Sequence, residues 1–351
     1  MRNNSVTIAK GIAILLMVMG HARCPEIVNN YLGMMRMPLF FIMSGFCFKE
    51  KSLLDAKGYM HKRFKGIYLP YVKWAIVFLM LHNFFMDINL YSEKFAYLGK
   101  TSTYYSLMDY VRKLFLITFT MLGEEQLLGG FWFLNALFVG STFFYITLRL
   151  VKQKMVGCIF LLALTLFFSF FNIQIPYMHI GSIHFFSAFF IMFGAYYKEK
   201  GFNIEYNIGF CIFSLLMVGI GTYFWKASML NYECWQIIPY AFTSILGTLV
   251  IFNLSHFIEK KKQSIVMRLL VYIGGYTFNV LTWHMICLKI VSLIIICIYD
   301  LPIYRLAEFP VMLEYARKGW WILYFLLGAG VPLVWTYYYH MLQDKISTFR
   351  K

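Results

Sequence analysis

The sequence predicts an all-α fold: a polytopic integral membrane bundle of about ten transmembrane helices, forming a single domain over residues 1–351. Three observations lead there. Sixty per cent of the residues are hydrophobic and only 14% are charged, where a soluble domain needs roughly a quarter charged to cover its surface. The apolar residues come in long blocks separated by short charged ones, which suits bilayer-spanning helices rather than one oversized soluble core. Lysine and arginine then concentrate in alternate connections, as the positive-inside rule requires.

In chain order the apolar runs place spans near 6–22, 32–48, 66–86, 128–148, 155–171, 183–197, 208–225, 236–257, 272–298 and 319–340. The first begins as a signal peptide does, with Arg2 and Lys10 before an apolar run, but no small-x-small cleavage site follows, so it reads as a retained span. The shortest, 183–197, reads as a tilted or partly re-entrant piece buried by its neighbours. With both termini cytoplasmic, the inner connections collect Lys49, Lys51, Lys57, Lys62, Arg63 and Lys65, then Arg149, Lys152 and Lys154, then Lys198 and Lys200, then Lys260, Lys261, Lys262 and Arg268. The outer segment 87–127 is balanced in charge, and within it residues 107–115 show apolar spacing at the helical period. That stretch is expected to lie along the membrane surface or to cover an opening. The location implied is the cell's inner membrane, in contact with lipid.

The net charge of +16 is spread through these connections instead of one stripe, so nucleic acid is not the implied partner. The seven cysteines show no CxxC spacing and no neighbouring histidines, and no metal site is expected; Cys24 and Cys234 both fall outside and leave a disulfide open.

Ionisable residues inside spans are costly and are functional candidates by default. Lys10 and His21 lie eleven residues apart, which returns to within about 20° of one helical direction, separated by roughly 16 Å of rise. One face thus carries a cation near the cytoplasm and a titratable base toward the outside. The lysine suits an anionic phosphate or a polarised carbonyl, and the histidine suits general base catalysis. The structural alternatives are a snorkelling lysine and a hydrogen-bonded interfacial histidine. His284, mid-way along the ninth span, is a further candidate, and Arg36 either snorkels or faces a cavity. Lys73 and Lys289 are expected to snorkel, His82 to be interfacial, and Glu124 and Glu125 to be solvated. Lys62, Arg63 and Lys65 serve topology and are also suited to dock an anionic cofactor.

Several strings resemble the acyltransferase 3 family of membrane-bound acyltransferases. Lys10-Gly11-Ile12-Ala13 running on to His21 looks like its first-helix motif, with lysine where the family usually has arginine. Met37 to Phe46, including Ser44, resembles its second-helix motif, and Lys62-Arg63-Phe64 through Tyr71 its third. Phe131-Trp132-Phe133-Leu134 is similar to its tryptophan-containing helix, and Gly274 to His284 to its late glycine-to-histidine segment.

The resemblance implies transfer of an acyl group, most simply acetyl, from cytoplasmic acyl-CoA to a hydroxyl of a cell-surface or lipid-linked glycan. On that reading His21 and Lys10 are the catalytic pair, and Arg63, with Lys62 and Lys65, holds the cofactor. Arg36, Ser44, Trp132 and His284 are candidate cavity or substrate residues. Ser44 serves either a close-packed Ser-Gly contact or, less favourably, an acyl-enzyme. The competing readings are a transporter or flippase for a lipid-linked sugar and a membrane scaffold; matching repeats with broken helices, which would favour the transporter, are not found.

Overall fold

An apolar segment that must satisfy its own backbone hydrogen bonds has one local solution, the α-helix. The structure, a computed structural model, describes residues 4–97, 100–176, 178–201, 207–261 and 264–349. Apart from a two-residue antiparallel pair, Ala96–Tyr97 with Lys100–Thr101, its regular elements are helical. In order they are α1 (Asn4–His21), α2 (Glu26–Gly33), α3 (Arg36–Phe46), α4 (Ala56–Arg63), α5 (Leu69–Met80), α6 (His82–Asp87) and α7 (Leu107–Thr120). There follow α8 (Trp132–Val151), α9 (Lys154–Phe170), α10 (Ser182–Glu199), α11 (Ile208–Phe224), α12 (Ile237–Lys260), α13 (Ile265–Gly275), α14 (Thr277–Tyr299), the single turn α15 (Leu313–Tyr315) and α16 (Trp321–Phe349).

Among the described residues, five helical segments are long and apolar enough to cross a membrane: Asn4–His21, Trp132–Val151, Cys234–Lys260, Thr277–Tyr299 and Leu313–Gln343. Lys154–Phe170, Ile208–Phe224 and Ile265–Gly275 are apolar but shorter. Three of the expected spans are broken, each for an identifiable reason. In the second, Ser244 Oγ donates to Met34 O at 2.6 Å and Tyr240 OH to Gly33 O at 3.3 Å, and the chain turns there between α2 and α3. The third has a π-helical turn, Phe64–Tyr68, joining α4 to α5, and stops before α6. The ninth begins only at Thr277, because the poor helix formers Gly274 and Gly275 end α13.

Small residues set how closely the bundle packs. A Cβ built at Gly45 would lie 1.8 Å from Ile191 O, and one at Gly194 would lie 1.9 Å from Ile42 O. The backbones of α3 and α10 therefore touch, the contact expected of the Ser44-Gly45 pair. Gly274 meets Thr7 O in the same way at 1.8 Å, bringing α13 onto α1. The segment expected to be short and enclosed, α10, packs on α3, α8 and α9 and buries most of its length.

Three expectations are corrected. His82 is not interfacial and Glu125 is not solvated: both are buried, with Nδ1 and Oε2 3.0 Å apart, and His82 stacks on Tyr105 with its Nε2 3.0 Å from Thr103 O. Burial, with the Glu125 carboxyl beside it, holds the Tyr91 phenol well above its usual range. Lys289 does not snorkel; it is buried and donates to Glu308 O at 2.5 Å. The disulfide left open between Cys24 and Cys234 is not formed: both are free thiols, the Cys234 thiol being turned toward Leu166 O at 3.7 Å. Lys73 is exposed and lies over the Trp74 ring, and Glu124 pairs with Lys113 at 2.6 Å. The amphipathic stretch forms α7, begun by a Ser106–Asp109 capping box. It packs on α5 and leaves Leu107, Met108, Val111, Phe115 and Phe119 exposed.

Candidate functional site

Four residues on one face of α1, spaced i, i+4, i+7 and i+11, are Lys10, Ile14, Met17 and His21. The first three line a cavity of about 470 Å³. Its opposite walls come from α3 (Met37, Phe40, Met43, Ser44), from Phe133, Leu134 and Leu137 of α8, and from Thr277, Phe278 and Leu281 of α14. Arg63 and Gly66 close the basic end, where the π turn 64–68 sets the direction of the chain. Such turns interrupt helices most often at functional sites. Neither Lys10 nor Arg63 pairs with a carboxylate among the described residues. Two uncompensated cations at the mouth of an otherwise apolar cavity favour an anionic group there.

The far end of the cavity stops at Met17 and Leu281, one turn short of His21 and His284. These two histidines face each other with ring centroids 5.2 Å apart. His284 Nδ1 lies 3.0 Å from Val280 O and 2.9 Å from Leu281 O. Carbonyls only accept, so Nδ1 bears the hydrogen and Nε2 presents its lone pair. That Nε2 is buried and has no hydrogen-bond partner among the described residues. The Arg36 guanidinium completes the group. Its Nη1 donates to Asn29 Oδ1 at 3.0 Å and rests on the backbone just before His21, 1.7 Å from where a Gly20 Cβ would be. Gly20 therefore makes room for the cation beside the histidine.

A scan against family models matches residues 3–339 to one described as an acyltransferase domain. The chain belongs to the acyltransferase 3 family. No curated protein and no solved structure matches it. With its apolar helices, family membership makes the chain a membrane acyltransferase.

Within this acyltransferase the predicted site residues separate into two groups. Lys10, Arg63 and Ser44 come together around the cavity, and His21, His284 and Arg36 meet just beyond its far end. Lys62 and Lys65 are exposed and do not line the cavity, because successive helical positions point in different directions and Arg63 takes the inward one. Trp132 is also outside the lining and crosses the Phe133 ring edge-on at 6.4 Å; its neighbour Phe133 supplies the wall. Sequence reasoning missed Asn29, Gly20 and the apolar wall residues Phe40, Phe133 and Phe278. The aromatic residues lie in strings that resemble the family, whereas no local pattern marks Asn29.

Proposed function

We propose that this chain moves an acyl group, acetyl in the simplest case, from acyl-CoA held at the basic end of the cavity to a hydroxyl of a cell-surface or lipid-linked glycan at the His21 end. The observation that carries the reading is the cavity itself, which joins Lys10 and Arg63 to the foot of the His21–His284 pair. In this reading about ten crossings place both termini in the cytoplasm and the protein in the cell's inner membrane, with Lys10 on the donor side. The CoA phosphates stay at the cytoplasmic mouth near Lys10 and Arg63, and the thin pantetheine arm enters between α1, α3, α8 and α14.

A ring nitrogen of His21 takes the proton of the acceptor hydroxyl as its oxygen attacks the thioester carbonyl. The tetrahedral intermediate collapses with cleavage of the C–S bond, and the CoA thiolate leaves and regains a proton from the imidazolium. Arg36, fixed by Asn29, stabilises the negative charge that develops on the carbonyl oxygen. The Nε2 lone pair of His284 accepts a hydrogen bond from His21 or from the acceptor and so positions one of them. Ser44 lines the cavity, and its Oγ has no hydrogen-bond partner, and so no base to activate it, among the described residues. It is therefore assigned to donate to the bound acyl-CoA, and transfer is direct.

Purified protein is incubated with radiolabelled acetyl-CoA and glycan prepared from the host's surface. His21→Ala is expected to lose transfer by roughly 10²–10⁴-fold while its thermal unfolding is unchanged. Transfer at the wild-type rate by the folded variant would overturn the general-base assignment, and no labelled glycan from the wild type would overturn the reaction.

A further inference from the structure

A second cavity lies well away from Lys10 and Arg63. It is about 520 Å³ in volume and is walled by the C-terminal end of α9, by residues 172–174, 179 and 181–183, and by the approach to α12. Its polar lining includes Asn172, Gln174, His179 and Glu233, with Phe168 and Tyr232 as aromatic surfaces. We propose that this cleft is a neutral-saccharide subsite, holding a sugar unit of the acceptor other than the one acylated. The proposal rests on the acyl-transfer reading above and deepens it.

The lining chemistry selects the ligand class. None of the lining residues is a lysine or arginine, so nothing in the cleft attracts a phosphate or carboxylate. The one acidic side chain, Glu233, is already engaged, its Oε2 accepting from Trp235 Nε1 at 2.6 Å. No metal-binding cluster of His, Cys, Asp or Glu occurs among the described residues. What remains is amide and imidazole groups beside aromatic rings, which suits a ring bearing many hydroxyls and an apolar face.

The cleft is built rather than incidental. Asn172 (φ 48°) and His179 (φ 49°) both adopt the left-handed conformation, which side chains other than glycine rarely take. An isolated bridge between Ile175 and Ile180 closes the loop between them, with Ile175 N donating to Ile180 O at 2.9 Å. Such conformations persist where the surrounding structure enforces them, and they concentrate at ligand clamps. The side chains of Asn172, Gln174 and His179 have no hydrogen-bond partner among the described residues and are free to serve a ligand. The Tyr232 ring is fixed by a 2.9 Å hydrogen bond between its hydroxyl and that of Ser182.

The position suits an acceptor subsite. Tyr232 packs on Phe186 (5.4 Å between centroids) and Phe186 on Tyr240 (5.8 Å). Tyr240 in turn donates to Gly33 O, three residues before Arg36. Phe186 and Tyr240 are fully buried, so this packing is a rigid mount that ties the cleft to the Arg36–His21 group through the core. A glycan crossing the end of the bundle above it would present one hydroxyl to His21 while another unit occupies the cleft.

The test compares a tetrasaccharide and its terminal monosaccharide, both prepared by partial hydrolysis of the host's surface glycan. The wild type is expected to show a KM at least tenfold lower for the tetrasaccharide. The double variant Asn172→Gly/Gln174→Ala, whose glycine keeps the left-handed backbone unstrained, should erase that preference, leaving the KM for acetyl-CoA, the monosaccharide kinetics and thermal unfolding unchanged. A preference that survives in the double variant overturns the proposal. Calorimetric binding of the tetrasaccharide to protein without acyl-CoA separates the two readings. A wild type that binds but does not transfer sinks the reaction alone, and a wild type that does not bind sinks the subsite.

Discussion

Gly20→Ala tests the reaction centre without removing any group from it. The new Cβ would lie 1.7 Å from Arg36 Nη1, 2.7 Å from Arg36 Cζ and 3.0 Å from Asn29 Oδ1. All three belong to side-chain ends, so the guanidinium retreats by more than an ångström while the helix stays in place. Alanine is favoured over glycine inside a helix by about 1 kcal/mol, so thermal unfolding is expected to hold or rise slightly. Misplacing a charge-stabilising group by about 1 Å costs roughly 10²-fold in rate, or ~2.7 kcal/mol. Arg36→Ala removes the group altogether and is expected to cost about 10²–10³-fold. Labelled acetyl transfer at saturating donor measures both, and the double variant decides between them. If Gly20→Ala acts only through Arg36, the double variant matches Arg36→Ala alone. A loss equal to the product of the two single losses would refute the reasoning, as would full activity in Gly20→Ala.

Two further predictions address the donor side and the outer loop. Lys10→Ala is expected to raise the KM for acetyl-CoA by about ten- to a hundredfold, the worth of a charge-assisted hydrogen bond of ~1.5–3 kcal/mol, and Lys10→Arg to restore it. An unchanged KM in the alanine variant removes Lys10 from the cofactor site. His82→Ala leaves Glu125 buried without its partner, and is expected to destabilise the protein by about 3–5 kcal/mol. That appears as a lower unfolding temperature in detergent, partly recovered by adding Glu125→Gln; an unshifted melt would show the pair to be energetically idle.

How much of this was legible in the sequence depends on how local each cause is. Long apolar runs with their own backbone hydrogen bonds are local, and α1, α8, α12, α14 and α16 fall where those runs lie. The break between α2 and α3 is not local. It coincides with hydroxyls of Tyr240 and Ser244, some two hundred residues away, that donate hydrogen bonds to the Gly33 and Met34 carbonyls. His82 and Glu125 are read as separate surface groups for the same reason, since 43 residues separate them and only the folded loop brings them together. The candidate site shows the same division. Spacing placed Lys10 and His21 on one face, because that is a property of a single helix. It did not choose Arg63 over Lys62 and Lys65, a choice that depends on the π turn 64–68. Nor did it pair His21 with His284, which depends on the packing of α1 against α14.

The two ends of this path are held by different physics, and that difference bears on what each recognises. The cavity walls stand on helices whose backbones touch: α3 on α10 through Gly45 and Gly194, and α1 on α13 through Gly274. Contacts of that kind leave no soft side chain to yield, so the positions of Lys10, Ser44 and His21 are set to a fraction of an ångström. A fixed channel suits the proposed acyl-CoA donor, whose pantetheine arm would be the same in every turnover. The opposite end is made of the short helix α2 holding Asn29, the loop carrying Asn172 and His179, and the exposed face of α7, peripheral elements that accept substitution more readily than the bundle does. Acceptor preference is therefore expected to change by substitution in those loops, whereas changes at the glycine crossings act on donor use and catalysis together.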